Sequence, residues 1–201
     1  MKERTIAVVS AGLTTPSSTR LLADRLTAAV RDDLATRGIP YRVVVVELRD
    51  VAHALTDNLL TGFPSKELAA VLESVVRADA LIAVTPTFST SYNGLFKMFF
   101  DVLDDQALAG KPVLIGATGG TERHSLVLDY ALRPLFTYLK AVVVPTGVYA
   151  ASSDWGTGAA SLNTRITRAA TQLADLLSNT PTAAPADPYD EPTPFEQLLN
   201  S

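Results

Sequence analysis

The sequence predicts an α/β fold: a parallel sheet of five strands with helices on both faces. Three observations predict it. Five apolar runs of strand length, rich in Val and Ile, recur along the chain. Stretches with helical spacing separate them. The runs are near-continuous in hydrophobicity rather than alternating, as strands buried on both faces are.

Taken in order, the strand candidates are residues 6–9, 43–48, 80–84, 113–117 and 142–148. The first helix is expected over 19–36, where Leu21, Leu22, Leu26, Ala29, Val30 and Leu34 fall at helical spacing. Gly38 and Pro40 then end it. A second is expected over 65–77, with Ser65 as N-cap. A third starts near Tyr92, a fourth runs over about 124–139, and a fifth over about 158–177. Residues 49–64 read as a long connection, a kind of segment that is often functional or interfacial. The order βαβαβαβαβα implies a flavodoxin-like three-layer sandwich with strand order 2-1-3-4-5.

The chain has 201 residues, 47% hydrophobic and 19% charged, which suits one domain with a sizeable core. A net charge of −4 argues against general affinity for nucleic acid or an anionic membrane. With no cysteine, disulfides, thiolate nucleophiles and cysteine-ligated metals are excluded. The apolar run near the N-terminus is strand-length, far short of a membrane span, so a cytoplasmic location is expected. Residues 1–179 are expected to form the domain. Residues 180–201 are rich in Pro and acids and read as a tail, disordered alone. Its apolar end, residues 195–199, is either a frayed terminus or an anchor that docks on a neighbouring subunit or partner.

Three loops at the C-terminal ends of strands carry the functional signal. After the first strand, Ser10 leads through Gly12, Leu13, Thr14, Thr15 and Pro16 to Ser17, Ser18, Thr19 and Arg20. Hydroxyls and backbone N–H groups at a helix start suit an anion such as a phosphate monoester. Neither the GxGxxG nor the GxxxxGK[ST] pattern is present. A capping turn without ligand is the plainer alternative. After the third strand, Pro86, Thr87, Phe88, Ser89, Thr90, Ser91, Tyr92 and Asn93 form a rigid, hydroxyl-rich turn with aromatic walls. The helix that follows pairs Lys97 with Asp101 at i, i+4, a spacing equally suited to a structural ion pair. Phe96, Phe99 and Phe100 on it read as core or subunit packing. After the fourth strand, Thr118, Gly119, Gly120 and Thr121 let backbone N–H groups approach a flat ligand, and His124 opens a helix. His53 and His124 are too far apart in sequence to imply a metal site, and neither pairs with a nucleophile. In this topology the three loops converge on one crevice. A phosphate at the first and a planar ring against the others describe bound FMN.

The run TPTFSTSYNGLFKMFFD, followed by LAGKPVLIGATGGTERHSLVLDYALRPLFTYL, resembles the NADPH-dependent FMN reductase family over roughly residues 4–178. The shared pattern is P-x-F/Y, S-x-x-G-x-x-K and ATGG-x-x-x-H-x-x-x-x-x-YALRP. It is most similar to reductases of two-component monooxygenase systems. The resemblance implies FMN held by Ser10, Ser17, Ser18 and Thr19 at the phosphate, by Pro86, Thr87, Phe88, Ser89, Ser91 and Tyr92 beside the isoalloxazine, and by Thr118, Gly119, Gly120 and Thr121 at the pyrimidine side. It implies reduction of flavin by NADPH or NADH, with hydride passing to N5, and names no catalytic side chain. It also implies a homodimer or homotetramer and a flavin-dependent monooxygenase as partner. In sulfonate-linked members a tyrosine lies in an irregular turn at the subunit interface, and Tyr92 is the expected counterpart. One departure stands out. Many members carry an arginine early in the first loop, as in GSxRxxS, where this chain has Gly12 and Leu13; Arg20 is the expected substitute. Arg123 and Arg133 are candidates to meet the extra phosphate of NADPH. Two other readings on the same scaffold are an FMN-containing quinone, azo or metal-ion reductase, and a flavodoxin-type electron carrier.

Overall fold

The computed structural model describes residues 3–179. The tail expected from 180 onward, with its apolar end, lies outside the described residues. The elements in chain order are β1 (Arg4–Ser10), α1 (Ser18–Thr36), β2 (Tyr41–Glu47), α2 (Ala52–Thr61), α3 (Lys66–Val76), β3 (Ala80–Phe88), β4 (Ser91–Tyr92), α4 (Gly94–Asp101), β5 (Pro112–Gly119), α5 (Arg133–Tyr138), β6 (Val142–Val143), β7 (Val148–Ala151) and α6 (Ala159–Asn179).

The parallel sheet runs β2-β1-β3-β5, with β6 and β7 both on the far side of β5. Counting β6 and β7 as one broken strand gives the expected order 2-1-3-4-5. Alternate residues of β1 serve the two faces. Ala7 and Val9 join a cluster with Leu55, Leu68, Val75, Phe96, Phe100 and Phe136. Ile6 and Val8 join a second, with Leu22, Leu26, Val30, Leu162, Ile166 and Leu173 of α1 and α6. This is the three-layer sandwich; the central strands are buried on both faces, while the edge strand β2 is part-exposed, with Val45 at 42%. The aromatic residues of α4 belong to the core: Phe96, Phe99 and Phe100 are at most 2% exposed, and Phe100 packs on Phe96 and Phe136 at 4.8 and 5.0 Å.

The sheet has seven strands rather than five, for two local reasons. The last expected strand is interrupted because Pro145 has no N–H to give the ladder. The carbonyls of Val144 and Pro145 turn instead to Arg133 Nη1 and Nη2, at 3.2 and 3.1 Å, and the Thr146 amide donates to Gln172 Oε1 at 2.9 Å. The seventh strand is β4, which folds back on the end of β3 as Thr87 pairs with Tyr92 and Phe88 with Ser91. The two residues at its tip, Ser89 and Thr90, have φ of 47° and 68°. Two-residue hairpins of type I′ require such values at both central positions, and they usually fall to Asn or Gly.

Three helix assignments also change. The long connection contains a turn of 3₁₀ helix, Leu48–Val51, and then α2. The third helix begins at Gly94, capped by Asn93, because Tyr92 is held in the hairpin. The expected continuous helix over 124–139 is a 3₁₀ turn at Glu122–His124, one turn of π-helix at Leu128–Leu132, and α5.

At the sheet edge opposite the three loops, Lys111 is 9% exposed. Its ammonium donates to the carbonyls of Val76, at 2.9 Å, and Ala78, closing the C-terminal end of α3. Burial lowers its pKa from 10.5 to about 8, against the upward pull of Asp79. Between those values the unfolded chain binds the extra proton and the folded chain does not. Stability therefore rises with pH across the window, by about 3 kcal/mol if this group acts alone. Lys111→Met is expected to lose that rise in urea midpoint. An unchanged pH profile in the variant would remove Lys111 as its source.

Candidate functional site

The three loops meet where β1, β3 and β5 end side by side. Registers fix this: Ser10 lies beside both Glu47 and Val84, and Pro86 beside Thr118. Each loop is then tied to another by a specific polar contact.

Asn93 joins the first two loops. It is 2% exposed, its Nδ2 donates to the Ala11 carbonyl at 2.8 Å, and its Oδ1 accepts from the Phe96 amide at 2.9 Å. Its own amide donates to Thr85 Oγ1 at 3.2 Å. One side chain thus caps α4 and anchors the backbone just past β1. Thr19 and Thr118 join the first and third loops through a buried 2.9 Å hydroxyl pair. Both were expected to face the ligand directly. At 2% exposure each, they stand in the structure as struts beneath the crevice. Tyr149 of β7 braces the third loop, its hydroxyl donating to the Thr121 carbonyl at 2.8 Å. Burial pushes its phenol pKa up, which keeps the donor protonated.

The first loop is tightly folded. Ser17 Oγ caps α1 by accepting the Arg20 amide at 3.2 Å, and Thr14 Oγ1 donates to the Pro16 carbonyl at 3.0 Å. A Cβ on Gly12 would overlap Ser17 Oγ, so any larger residue there displaces the hydroxyl that caps α1. No acid lies in the first turn of α1, and Ser18 is exposed. Ser10 is fully buried with its hydroxyl unpartnered.

The second loop presents Phe88, 49% exposed, on a hairpin whose tip residues Ser89 and Thr90 are also exposed. Positive φ at a β-branched residue such as Thr90 is strained, and strain of this kind collects at functional sites. Pro86 and Thr87 are half-buried, and the Thr87 hydroxyl has no hydrogen bond of normal geometry. Ser91 is half-buried in β4. Tyr92 packs its ring on Phe96 at 5.8 Å, so it is a wall of the core as much as of the crevice.

In the third loop the two glycines differ. A Cβ on Gly119 would overlap the Tyr149 hydroxyl; one on Gly120 would meet nothing within 4 Å. Gly120 and Thr121 are exposed. The space over Gly120 is open for a flat ligand to approach the backbone.

The cations are arranged differently from expectation. Arg20 does not reach into the first loop. Its Nε pairs with Asp24 at 2.8 Å and its Nη1 with Glu47. Arg133 is committed to Asp129 and to the carbonyls of the strand break. Arg123 is exposed on the 3₁₀ turn. Lys97 and Asp101 form an exposed ion pair at 2.6 Å, which is the structural alternative. The sequence reading missed Arg49, which follows β2 and bonds the first loop at the Thr14 carbonyl and Thr15 Oγ1. The one available signal was strand order: β2 neighbours β1, so a residue just past β2 lies beside the loop after β1. His53 and His124 are exposed and far from each other in sequence, and among the described residues no group of His, Asp and Glu could hold a metal.

The crevice combines an anion-compatible helix start, an exposed aromatic ring and an open glycine backbone. Residues 4–156 match the family model described as NADPH-dependent FMN reductase. A Pseudomonas aeruginosa protein named FMN reductase (NADPH) is 43% identical over 150 residues, covering 75% of this chain and 78% of that protein. The NADH-dependent FMN reductase SfnE of Pseudomonas putida is 36% identical over 174 residues, covering 85% and 91%. Among solved structures, an oxidoreductase from Corynebacterium diphtheriae superposes with a TM-score of 0.87 at 48% identity, covering 90% of this chain and all of that one.

Proposed function

The chain belongs to the NADPH-dependent FMN reductase family, and from that premise we propose that FMN lies in the crevice after β1, β3 and β5. It is an NAD(P)H-dependent flavin oxidoreductase.

The residues present fit the flavin. The phosphate monoester suits the start of α1, with backbone N–H groups and the Ser17 and Ser18 hydroxyls around it. The isoalloxazine suits the space bounded by Pro86, Phe88 and the open backbone at Gly120. The observation that carries this is the contrast between the glycines at the end of β5: the space beside Gly119 is filled by the Tyr149 brace, while a Cβ on the exposed Gly120 would meet nothing within 4 Å. Bound FMN supplies the hydride acceptor, so no side-chain acid or base is required. The chain's part is orientation and electrostatics. Phe88 gives a flat apolar face. The amides near Gly119 and Gly120 would stabilise negative charge at the pyrimidine end of bound FMN. Thr19, Thr118, Asn93 and Tyr149 hold the three loops in register.

Reduced FMN is proposed to leave for a flavin-dependent monooxygenase, consistent with the exposure of Phe88, Gly120 and Thr121. The test is oxidation of NADPH and of NADH by flavin-stripped protein, with and without added FMN. Turnover that rises and saturates with FMN is the expected result. Tight FMN binding with turnover only on adding a quinone would overturn the reductase-for-release reading.

A homo-oligomer is proposed through the face that carries the π-helical turn. One turn of π-helix lies at Leu128–Leu132, and Tyr130 within it is 80% exposed, with Leu126 and Tyr138 nearby in sequence at 60% and 75%. Apolar residues exposed together in this way mark association surfaces. Tyr130→Asp is expected to shift the protein to a smaller species by size-exclusion chromatography with light scattering. An unchanged mass would place the interface elsewhere.

A further inference from the structure

We infer that Arg49 supplies the cationic contact to the FMN phosphate that the first loop of this chain lacks. The inference rests on the proposed placement of the phosphate at the start of α1.

Four observations carry it. First, the loop itself has no cation: residues 11–18 include neither lysine nor arginine. Second, Arg49 is joined to that loop across the top of the β1–β2 pair. Its Nη1 donates to the Thr14 carbonyl at 3.4 Å and to Thr15 Oγ1. Third, its guanidinium is held from the other side, with Nε on Glu47 Oε2 at 3.2 Å and Asp50 Oδ1 at 3.5 Å. That leaves the two hydrogens of Nη2 without a partner among the described residues. A guanidinium fixed at two of its nitrogens and free at the third is preorganised for an oxyanion. Fourth, Arg49 is 32% exposed, so an incoming phosphate reaches it without unfolding the loop.

The local charge balance agrees. Glu47 is 17% exposed and is shared between Arg49 and Arg20, one carboxylate against two guanidinium groups. The other acids, Asp24 and Asp50, are 52% and 70% exposed, where solvent and salt screen them. Arg20 differs from Arg49 in one respect that matters: its side chain bonds Asp24 and Glu47 and nothing in the loop. Glu47 is then a positioning residue, holding Arg49 over the loop rather than touching the ligand.

The experiment compares FMN with riboflavin, which carries the same ring and no phosphate. Dissociation constants are measured by flavin fluorescence in flavin-stripped parent, Arg49→Ala, Arg49→Gln and Arg20→Ala, with thermal melts to confirm folding. The parent is expected to prefer FMN. In both Arg49 variants the preference should fall by about 10- to 100-fold through weaker FMN binding alone, with riboflavin unchanged. Arg20→Ala should keep the parent's preference. If FMN and riboflavin weaken equally in the Arg49 variants, Arg49 only shapes the loop and the inference fails. A raised KM for NADPH with the flavin preference intact would assign Arg49 to the nicotinamide instead, and also overturns it. If the parent itself does not discriminate between the two flavins, the placement of the phosphate fails first, a distinct outcome.

Discussion

Gly120→Leu is expected to fold like the parent and to bind FMN roughly 100-fold more weakly, since a side chain would occupy the space proposed for the flavin's pyrimidine edge. The structure separates folding from binding at this position. A Cβ at Gly120 meets no atom within 4 Å, and its φ is one that any residue adopts, so the substitution costs the apoprotein little. The adjacent Gly119 is the control. A Cβ there overlaps the Tyr149 hydroxyl and breaks its bond to the Thr121 carbonyl, so Gly119→Ala should lower the melting temperature as well as weaken binding. Fluorescence titration with FMN and a thermal melt of each variant suffice. Parent-like FMN affinity in Gly120→Leu would remove the third loop from the site.

Asn93→Ala should be the most damaging single substitution away from direct flavin contact, costing about 2–4 kcal/mol of stability. Two losses add. The Phe96 amide at the start of α4 loses its cap, and the Ala11 carbonyl loses a buried donor. The second loss reaches the site, because Ala11 opens the first loop. FMN affinity should therefore fall further than riboflavin affinity. Asn93→Asp is the informative partner: it keeps the cap but sets a carboxylate oxygen against the Ala11 carbonyl. Urea denaturation measures the stability change. If Asn93→Asp matches the parent in both stability and FMN affinity, the link between the first two loops is not made by this side chain.

Much of this was legible in the chain, and the reasons are physical. Unbroken apolar runs such as residues 80–84 have few alternatives to a strand buried on both faces, so the sheet and its order followed. The break between β6 and β7 was written in Pro145 and Gly147, but a run of Val on each side masked it. Helix α2 was hidden because its apolar residues do not form one stripe. Leu55 is buried, yet Leu60 is 81% exposed and the following Phe63 is 80% exposed, and no side chain caps its start. The hairpin at β4 was illegible because Ser89 and Thr90 are poor residues for its tip. The π-helical turn depends on packing that no local pattern records. In the site, composition singled out three loops, and the structure brings them side by side at the ends of β1, β3 and β5. Composition could not tell which hydroxyls face a ligand and which, like Thr19 and Thr118, bond each other. Nor could it connect Arg49 to a loop some 35 positions earlier without the adjacency of β1 and β2.

The struts that hold the crevice together also decide when it comes into being. Thr19 and Thr118 are 99 positions apart in the chain, and Asn93 and Ala11 are 82 apart. Closing such distances costs entropy that is recovered only once the intervening strands have docked. The cleft is therefore expected to form no earlier than the docking of β1, β3 and β5. A ligand that needs all three loops finds nothing to grip on the way to the native state. It acts after the barrier has been crossed, as a brake on unfolding rather than a template for folding.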